Sequence, residues 1–189
     1  MSASRVLVVA ATPRELAEGE DWDGLVCGVG PVDAGIATAS AIARVRPLAI
    51  VHVGIAGARA ASGLVPPALV IGGGSLYCDL GVPEQWAPRR LSPDARLLAA
   101  ARRALPGSVE RVIGTSGRVG QTSGCDVEAM EGFAVLRAAA LAGVPAIEVR
   151  AISNAVEEPD RSRWRFGDAC AAIVDATPAL AREVAACLS

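Results

Sequence analysis

The sequence predicts an α/β fold, a single three-layer α/β/α domain over residues 1–189 built on a central mixed, mainly parallel sheet. Three observations carry that prediction. Short, nearly continuous apolar runs such as RVLVVAA (5–11), LAIVHV (48–53) and PAIEVRAI (145–152) read as strands buried on both faces. Segments with helical spacing alternate with them, the pattern of helices crossing over a sheet. The chain is 189 residues long and 52% hydrophobic, enough for one full core.

Taken in order, Arg5 to Ala11 is a first strand, stopped by Thr12-Pro13. Glu15 follows in the βα connection or first helical turn. Gly24 to Gly30 is a second strand, and a small-residue helix runs from about Val32 to Arg44, ended by Pro47. Leu48 to Val53 is a third strand that opens into the loop GIAG (54–57). Val65 to Gly74 and Leu76 to Leu80 are two shorter strands separated by a Gly-rich bend. Pro83 to Pro93 is a surface loop, Pro93 to Leu105 a helix and Val109 to Ile113 a strand. The next helix shows an apolar face from Met130 to Leu141, with Asp126 as its N-cap and Gly143 and Pro145 as its stop. This places Glu131 in the first helical turn. Pro145 to Ile152 is the last strand, and Asn154 falls just past its C-terminal end, where open α/β sheets place their sites. An amphipathic helix, Ala169 to Leu188, closes the chain.

Composition removes several classes of function. A net charge of -2 gives no basic footprint for nucleic acid or an anionic membrane surface. Every basic residue is arginine, which excludes a lysine Schiff base and a P-loop lysine. The one histidine, His52, lies inside a buried strand and reads as a hydrogen-bonded core residue rather than a catalytic base. Five cysteines without C-x-x-C pairing argue against a zinc site or a disulfide framework and for reduced cytosolic thiols. With no apolar run long enough to span a bilayer, and an N-terminus that leads straight into a strand, the expectation is a cytoplasmic protein with no signal peptide. No cofactor and no metal are expected.

Among the motifs, Gly28-Val29-Gly30-Pro31-Val32-Asp33 follows a strand and opens a helix. It lacks the third glycine of a dinucleotide site and the acidic residue about 20 positions on, so it reads as a tight turn. GIAG (54–57) and GTSG (114–117) are glycine loops at strand ends, each weak alone.

The combination AATPREL (10–16), GVGPVDAGIAT (28–38), HVGIAG (52–57), VEAMEGFA (127–134) and RAISN (150–154) resembles the nucleoside hydrolase/phosphorylase superfamily, in that family's order. The E-x-M-E-G form of the helix motif, with Ser153-Asn154 after the last strand, looks most like the futalosine hydrolase branch, which acts in an alternative menaquinone pathway. The resemblance implies cleavage of an N-glycosidic bond, a purine nucleoside as partner, no nucleic-acid or membrane partner, and a homo-oligomer. It implies Glu15 as the base that activates water and Glu131 as the acceptor of the ribose hydroxyls. Met130 would pack beneath the sugar, and Ala56, Gly57 and Ser153 would line the pocket.

Asn154 stands where adenine-cleaving relatives have an aspartate acid. An amide accepts from N7–H and donates to an oxygen at position 6, which complements hypoxanthine and not adenine. The same asparagine occurs in 6-oxopurine phosphorylases, so it selects the base and leaves the nucleophile open between water and phosphate. Arg14, Arg59 and Arg118 are the loop arginines available to phosphate. The segment between Gly117 and Val127, where relatives often carry an aromatic residue that stacks on the base, has none; Trp164 and Phe166 are candidates on loop placement alone. A 6-oxopurine phosphorylase, a methylthioadenosine/S-adenosylhomocysteine nucleosidase and a non-catalytic nucleoside binder stand as alternatives.

Overall fold

The computed structural model describes residues 5–120 and 122–188; the reading of residues 1–4 as leading straight into the first strand lies outside them. Strands β1 (Val6–Ala10), β2 (Trp22–Val26), β3 (Ala49–Ala58), β4 (Leu69–Tyr77), β5 (Arg90–Leu91), β6 (Val109–Thr115), β7 (Val127–Ala129) and β8 (Ala146–Ala155) form one mixed sheet. Helices α1 (Pro31–Val45), α2 (Ala95–Ala104), α3 (Gly132–Ala142) and α4 (Phe166–Ala186) cover it. The order β2-β1-β3-β7-β6-β4-β5 is closed by β8, which pairs with both β3 and β4, so β3, β8, β4, β6 and β7 form a ring. Five of the eight strand pairings are parallel.

Helices α2 and α4 pack together on one face, and α1 and α3 on the other. Strand periodicity decides which residue meets which layer. Val6, Val8, Val51, Val53, Ile147 and Val149 join Leu97, Ile173 and Leu180 in the larger core, while Leu7, Val9 and Ile50 pack with Ala34, Val135 and Leu136 in the other. No helix among the described residues is long and apolar enough to cross a membrane.

Several local expectations change. Helix α3 begins at Gly132, not after Asp126, because residues 127–129 spend their backbone groups pairing with β6 and β3. Asp126 caps nothing; its carbonyl accepts from Arg59 N–H at 2.8 Å. The first free N–H of α3, from Phe133, is met instead by Thr115 Oγ1 at 2.8 Å. The two strands expected around the Gly-rich bend are one strand, β4, whose register against β6 shifts between Gly72 and Gly74. GIAG lies within β3 rather than in a loop, and β8 continues through Asn154 because Gly57 and Ala58 still pair with it. The second strand ends at Val26, and Gly28 (φ 85°) and Gly30 (φ 93°) make the tight turn before α1. No helix follows β1; Glu15 stands in a turn whose N–H bonds Thr12 O at 3.2 Å.

Candidate active site

A cavity of about 280 Å³ opens at the C-terminal ends of β1, β3 and β8. Glu15, Ala56, Gly57, Met130, Glu131, Ser153 and Asn154, the residues singled out in the sequence, all line it. Three strands bring their side chains together. Across β7, β3 and β8, Glu128, Gly57 and Asn154 stand in one row. The β3–β8 register passes from Ala56↔Ile152 to Gly57↔Asn154, so Ser153 is an inserted residue that rephases β8. Without the bulge Asn154 would take the opposite alternation.

Each carboxylate is held by several donors. Glu15, 5% exposed, accepts from Thr12 N–H (3.1 Å) and Thr12 O–H (2.6 Å) on Oε2, and from Ile55 N–H (3.0 Å) on Oε1. These bonds tie the β1 turn to β3 and orient the carboxylate along the pocket wall. Glu131, the residue preceding α3, accepts from Gly30 N–H at 3.0 Å on Oε1, and its Oε2 lies 3.6 Å from Arg150 Nη2. Glu128 accepts from Gly120 N–H and Thr122 O–H, both at 2.6 Å, and so pins the loop after β6.

Behind Glu131 lies a network that motif reading missed. Arg150 is fully buried, and its Nε donates to Glu148 Oε1 at 2.8 Å. Its Nη2 meets His52 Nε2. His52 Nδ1 lies 3.0 Å from the Val9 carbonyl, which only accepts, so Nδ1 carries the proton and Nε2 accepts from Arg150. Burial, reinforced by the Arg150 charge, holds the His52 pKa well below its ordinary value and keeps the ring neutral. His52 is thus a core residue, as expected, and also touches the arginine beside the site. The available signal was the pair Glu148 and Arg150, two apart in an apolar strand and therefore on one face.

At the end of β8, Asn154 Oδ1 accepts from Ser153 O–H (2.7 Å) and Nδ2 donates to Ala155 O (2.9 Å). One lone pair and one N–H remain for a ligand. Gly57 leaves the approach open, since a Cβ there would stand 3.1 Å from Asn154 Nδ2. Trp164 and Phe166 line the same cavity with ring centroids 5.3 Å apart. Their segment is fastened by Trp164 Nε1–H to Glu158 O (3.0 Å) and Arg165 N–H to Ser153 O (2.8 Å).

Of the three arginines considered for phosphate, only Arg118 lines the cavity; Arg14 is exposed elsewhere. Arg59 is committed to the carbonyls of Thr122 and Cys125. Arg161, not singled out in the sequence, also lines the cavity, its guanidinium 5.6 Å from the Trp164 ring centroid. Burial, with Glu131 nearby, pushes the Cys27 thiol up to about 11, which leaves it a poor nucleophile. No group of three or more His, Cys, Asp or Glu among the described residues is arranged to hold a metal ion.

A mixed α/β sheet with this ring closure, carrying buried carboxylates and an amide around one cavity of small-molecule size, has the make-up of an enzyme site. The sequence model of the Phosphorylase superfamily matches residues 25–188, and the chain belongs to that superfamily. It is 37% identical over 193 residues to futalosine hydrolase of Streptomyces coelicolor, covering 86% of this chain and 79% of that protein. Among solved structures it superimposes with a TM-score of 0.84 on a futalosine hydrolase mutant of Helicobacter pylori, at 15% identity, covering 96% of this chain and 100% of that one. A methylthioadenosine/S-adenosylhomocysteine nucleosidase of Colwellia psychrerythraea in complex with adenine gives 0.82 at 18% identity, covering 95% of each chain. The two structures agree with the fold described above.

Proposed function

We propose that this protein hydrolyses the N-glycosidic bond of futalosine, releasing hypoxanthine and dehypoxanthine futalosine. The observation that carries the reading is the convergence of Glu15, Glu131 and Asn154 on one cavity. Cleavage moves the bonding electron pair of the C1′–N bond onto the purine and leaves positive charge on the ribose. Glu15 takes a proton from the water whose oxygen bonds to C1′. Glu131 accepts the ribose hydroxyls, Met130 packs beneath the sugar, and Ala56, Gly57 and Ser153 shape the wall. The departing base takes its proton at N7 from solvent, and Glu15 returns the proton it gained to solvent. Asn154 stabilises the protonated base by accepting from N7–H and donating to O6; the amide itself supplies no proton. Trp164 and Phe166 furnish the apolar surface for the base that the segment between Gly117 and Val127 lacks.

Hydrolysis is favoured over phosphorolysis because Arg59 is tied to backbone carbonyls and Arg14 lies away from the cavity. Arg118 and Arg161 are exposed at the mouth and make no ion pair among the described residues. They suit the benzoate-bearing chain of futalosine better than the apolar methylthio group of methylthioadenosine. We further expect the chain to assemble as a homo-oligomer, since Val29, Val32 and Ile36 are 57%, 69% and 65% exposed along the turn and helix beside the cavity.

The test is base release from futalosine, inosine and methylthioadenosine in parallel, each with and without phosphate, for the wild type and Asn154→Asp. Phosphate-independent hypoxanthine from futalosine is expected, with Asn154→Asp losing about 10²-fold or more in kcat/KM for it. Phosphate-dependent release from inosine, adenine release by the wild type, or no release at all would overturn the reading.

A further inference from the structure

Glu148 is a fully buried carboxylate that the proposed chemistry does not use. Its Oε1 accepts from Arg150 Nε at 2.8 Å, while Oε2 makes no hydrogen bond of regular geometry among the described residues, the buried Ser75 hydroxyl being its neighbour. A Cβ placed at Gly132 would overlap both carboxylate oxygens of Glu148. The carboxylate therefore fills the volume that any other residue at the start of α3 would claim. Backbone geometry gives no reason for glycine there, because Gly132 is not among the positive-φ residues. The reason is space. At the opposite end of the guanidinium a Cβ at Gly54 would overlap Arg150 Nη1 and stand 2.9 Å from Glu15 Oε1. Two absent side chains thus make room for one linked row, from Glu148 through Arg150 to Glu15 on one side and Glu131 on the other.

We propose that Glu148 is a positioning residue for the site and that Gly132 is its steric counterpart. By holding Nε, Glu148 fixes the plane of the Arg150 guanidinium, so that Nη2 faces Glu131 and Nη1 faces the junction of Gly54 and Glu15. Turning that plane shifts the charge facing both carboxylates at once. Gly132 immediately follows Glu131, so displacing Glu148 also disturbs the backbone that carries the ribose-binding carboxylate. The inference rests on the nucleosidase reading for its kinetic arm, but the steric pairing stands independently of it.

The experiment compares wild type, Gly132→Ala, Glu148→Val, the double variant and Glu148→Gln, measuring Tm together with kcat and KM for base release. The Gly132→Ala change is expected to lower Tm in the wild-type background. In the Glu148→Val background it should raise Tm or leave it unchanged, because the added methyl group fills vacated space. Additive Tm losses would overturn the pairing. Glu148→Val is expected to lower kcat roughly ten- to a hundredfold, with Glu148→Gln, which still accepts from Nε, recovering most of it. Wild-type kcat in Glu148→Val, or equal losses in the valine and glutamine variants, would overturn the positioning role. If Glu148→Val does not fold, the double variant and Glu148→Gln decide both points. Absence of base release by the wild type would refute the nucleosidase reading and leave the Tm comparison standing as the test of the pairing.

Discussion

The two faces of the sheet are built from the same strands and both carry apolar core, but only the face toward α1 and α3 also buries charge. Toward α2 and α4, β1, β3 and β8 present Val6, Val8, Val51, Val53, Ile147, Val149 and Ala151 to Leu97, Ile173, Leu180 and Val184, all buried and apolar. One residue out of phase, β3 and β8 present His52, Glu148 and Arg150 toward α3. Burying a guanidinium costs several kcal/mol even after relaxation, so the second face is tolerated only because nearly every polar group on it has a partner. Both faces supply stability through apolar burial; the α3 face spends some of it to hold the site's carboxylates in a fixed field. Period-two alternation lets one strand do both.

The sharpest way to break this contrast is through the proposed water-activating carboxylate. Glu15→Ala is expected to lower turnover by about 10²–10⁴-fold, the usual contribution of a general base. Hypoxanthine affinity, measured by titration calorimetry, should stay close to wild type, while Tm falls because Thr12 and Ile55 lose their buried acceptor. Unchanged turnover would show that Glu15 is not the base.

That prediction was available from the sequence, whereas its structural basis was not. The apolar runs announced the strands, and Glu15, Glu131 and Asn154 lay near strand or helix ends, a weak signal for each that gained its meaning from the family resemblance. Long-range pairing was invisible. Residues 127–129 look helical by spacing, but the backbones of β3 and β6 claim them, and no local signal announces partners that lie about 70 and 14 residues upstream (Gly57 with Glu128 in one case, Gly114 with Glu128 in the other). The bulge at Ser153, which decides where Asn154 points, is likewise a property of the β3–β8 register. Trp164 and Phe166 were nameable only from their placement in a loop, because their place at the cavity depends on bonds from Arg165 to Ser153 and from Trp164 to Glu158.

A matched pair of core substitutions sharpens the comparison at the level of stability. Arg150→Met leaves Glu148 and Glu131 without their buried cation and should cost about 3–5 kcal/mol, together with a loss of kcat. Leu180→Ala on the apolar face should cost about 2–5 kcal/mol through the cavity it leaves, with kcat per folded molecule unchanged. Urea unfolding beside active-site titration separates the two. A Leu180→Ala variant that loses kcat as heavily as Arg150→Met would mean that the faces are mechanically coupled rather than divided in labour.

The smallest expected effect is a pH slope, and its sign distinguishes two groups of the charged face. His52 stays neutral in the folded protein well below its ordinary pKa of 6.5, so below that pH the unfolded chain binds a proton that the folded one does not. Its contribution to stability is therefore present above pH 6.5 and declines on acidification, by at most about 1.4 kcal/mol per pH unit. Glu148 runs the other way: burial raises its pKa above 4.5 against the opposing pull of Arg150, so its contribution is present at low pH and lost as pH rises through the raised value. On this face the two contributions oppose each other. Because His52 is the chain's one histidine, His52→Asn removes one contribution cleanly. Between pH 7 and pH 5 the variant should lose less Tm than the wild type, whatever its Tm at neutral pH. Parallel Tm curves would show that His52 binds protons alike in the folded and unfolded chains, and that this face of β3 is wetter than its burial implies.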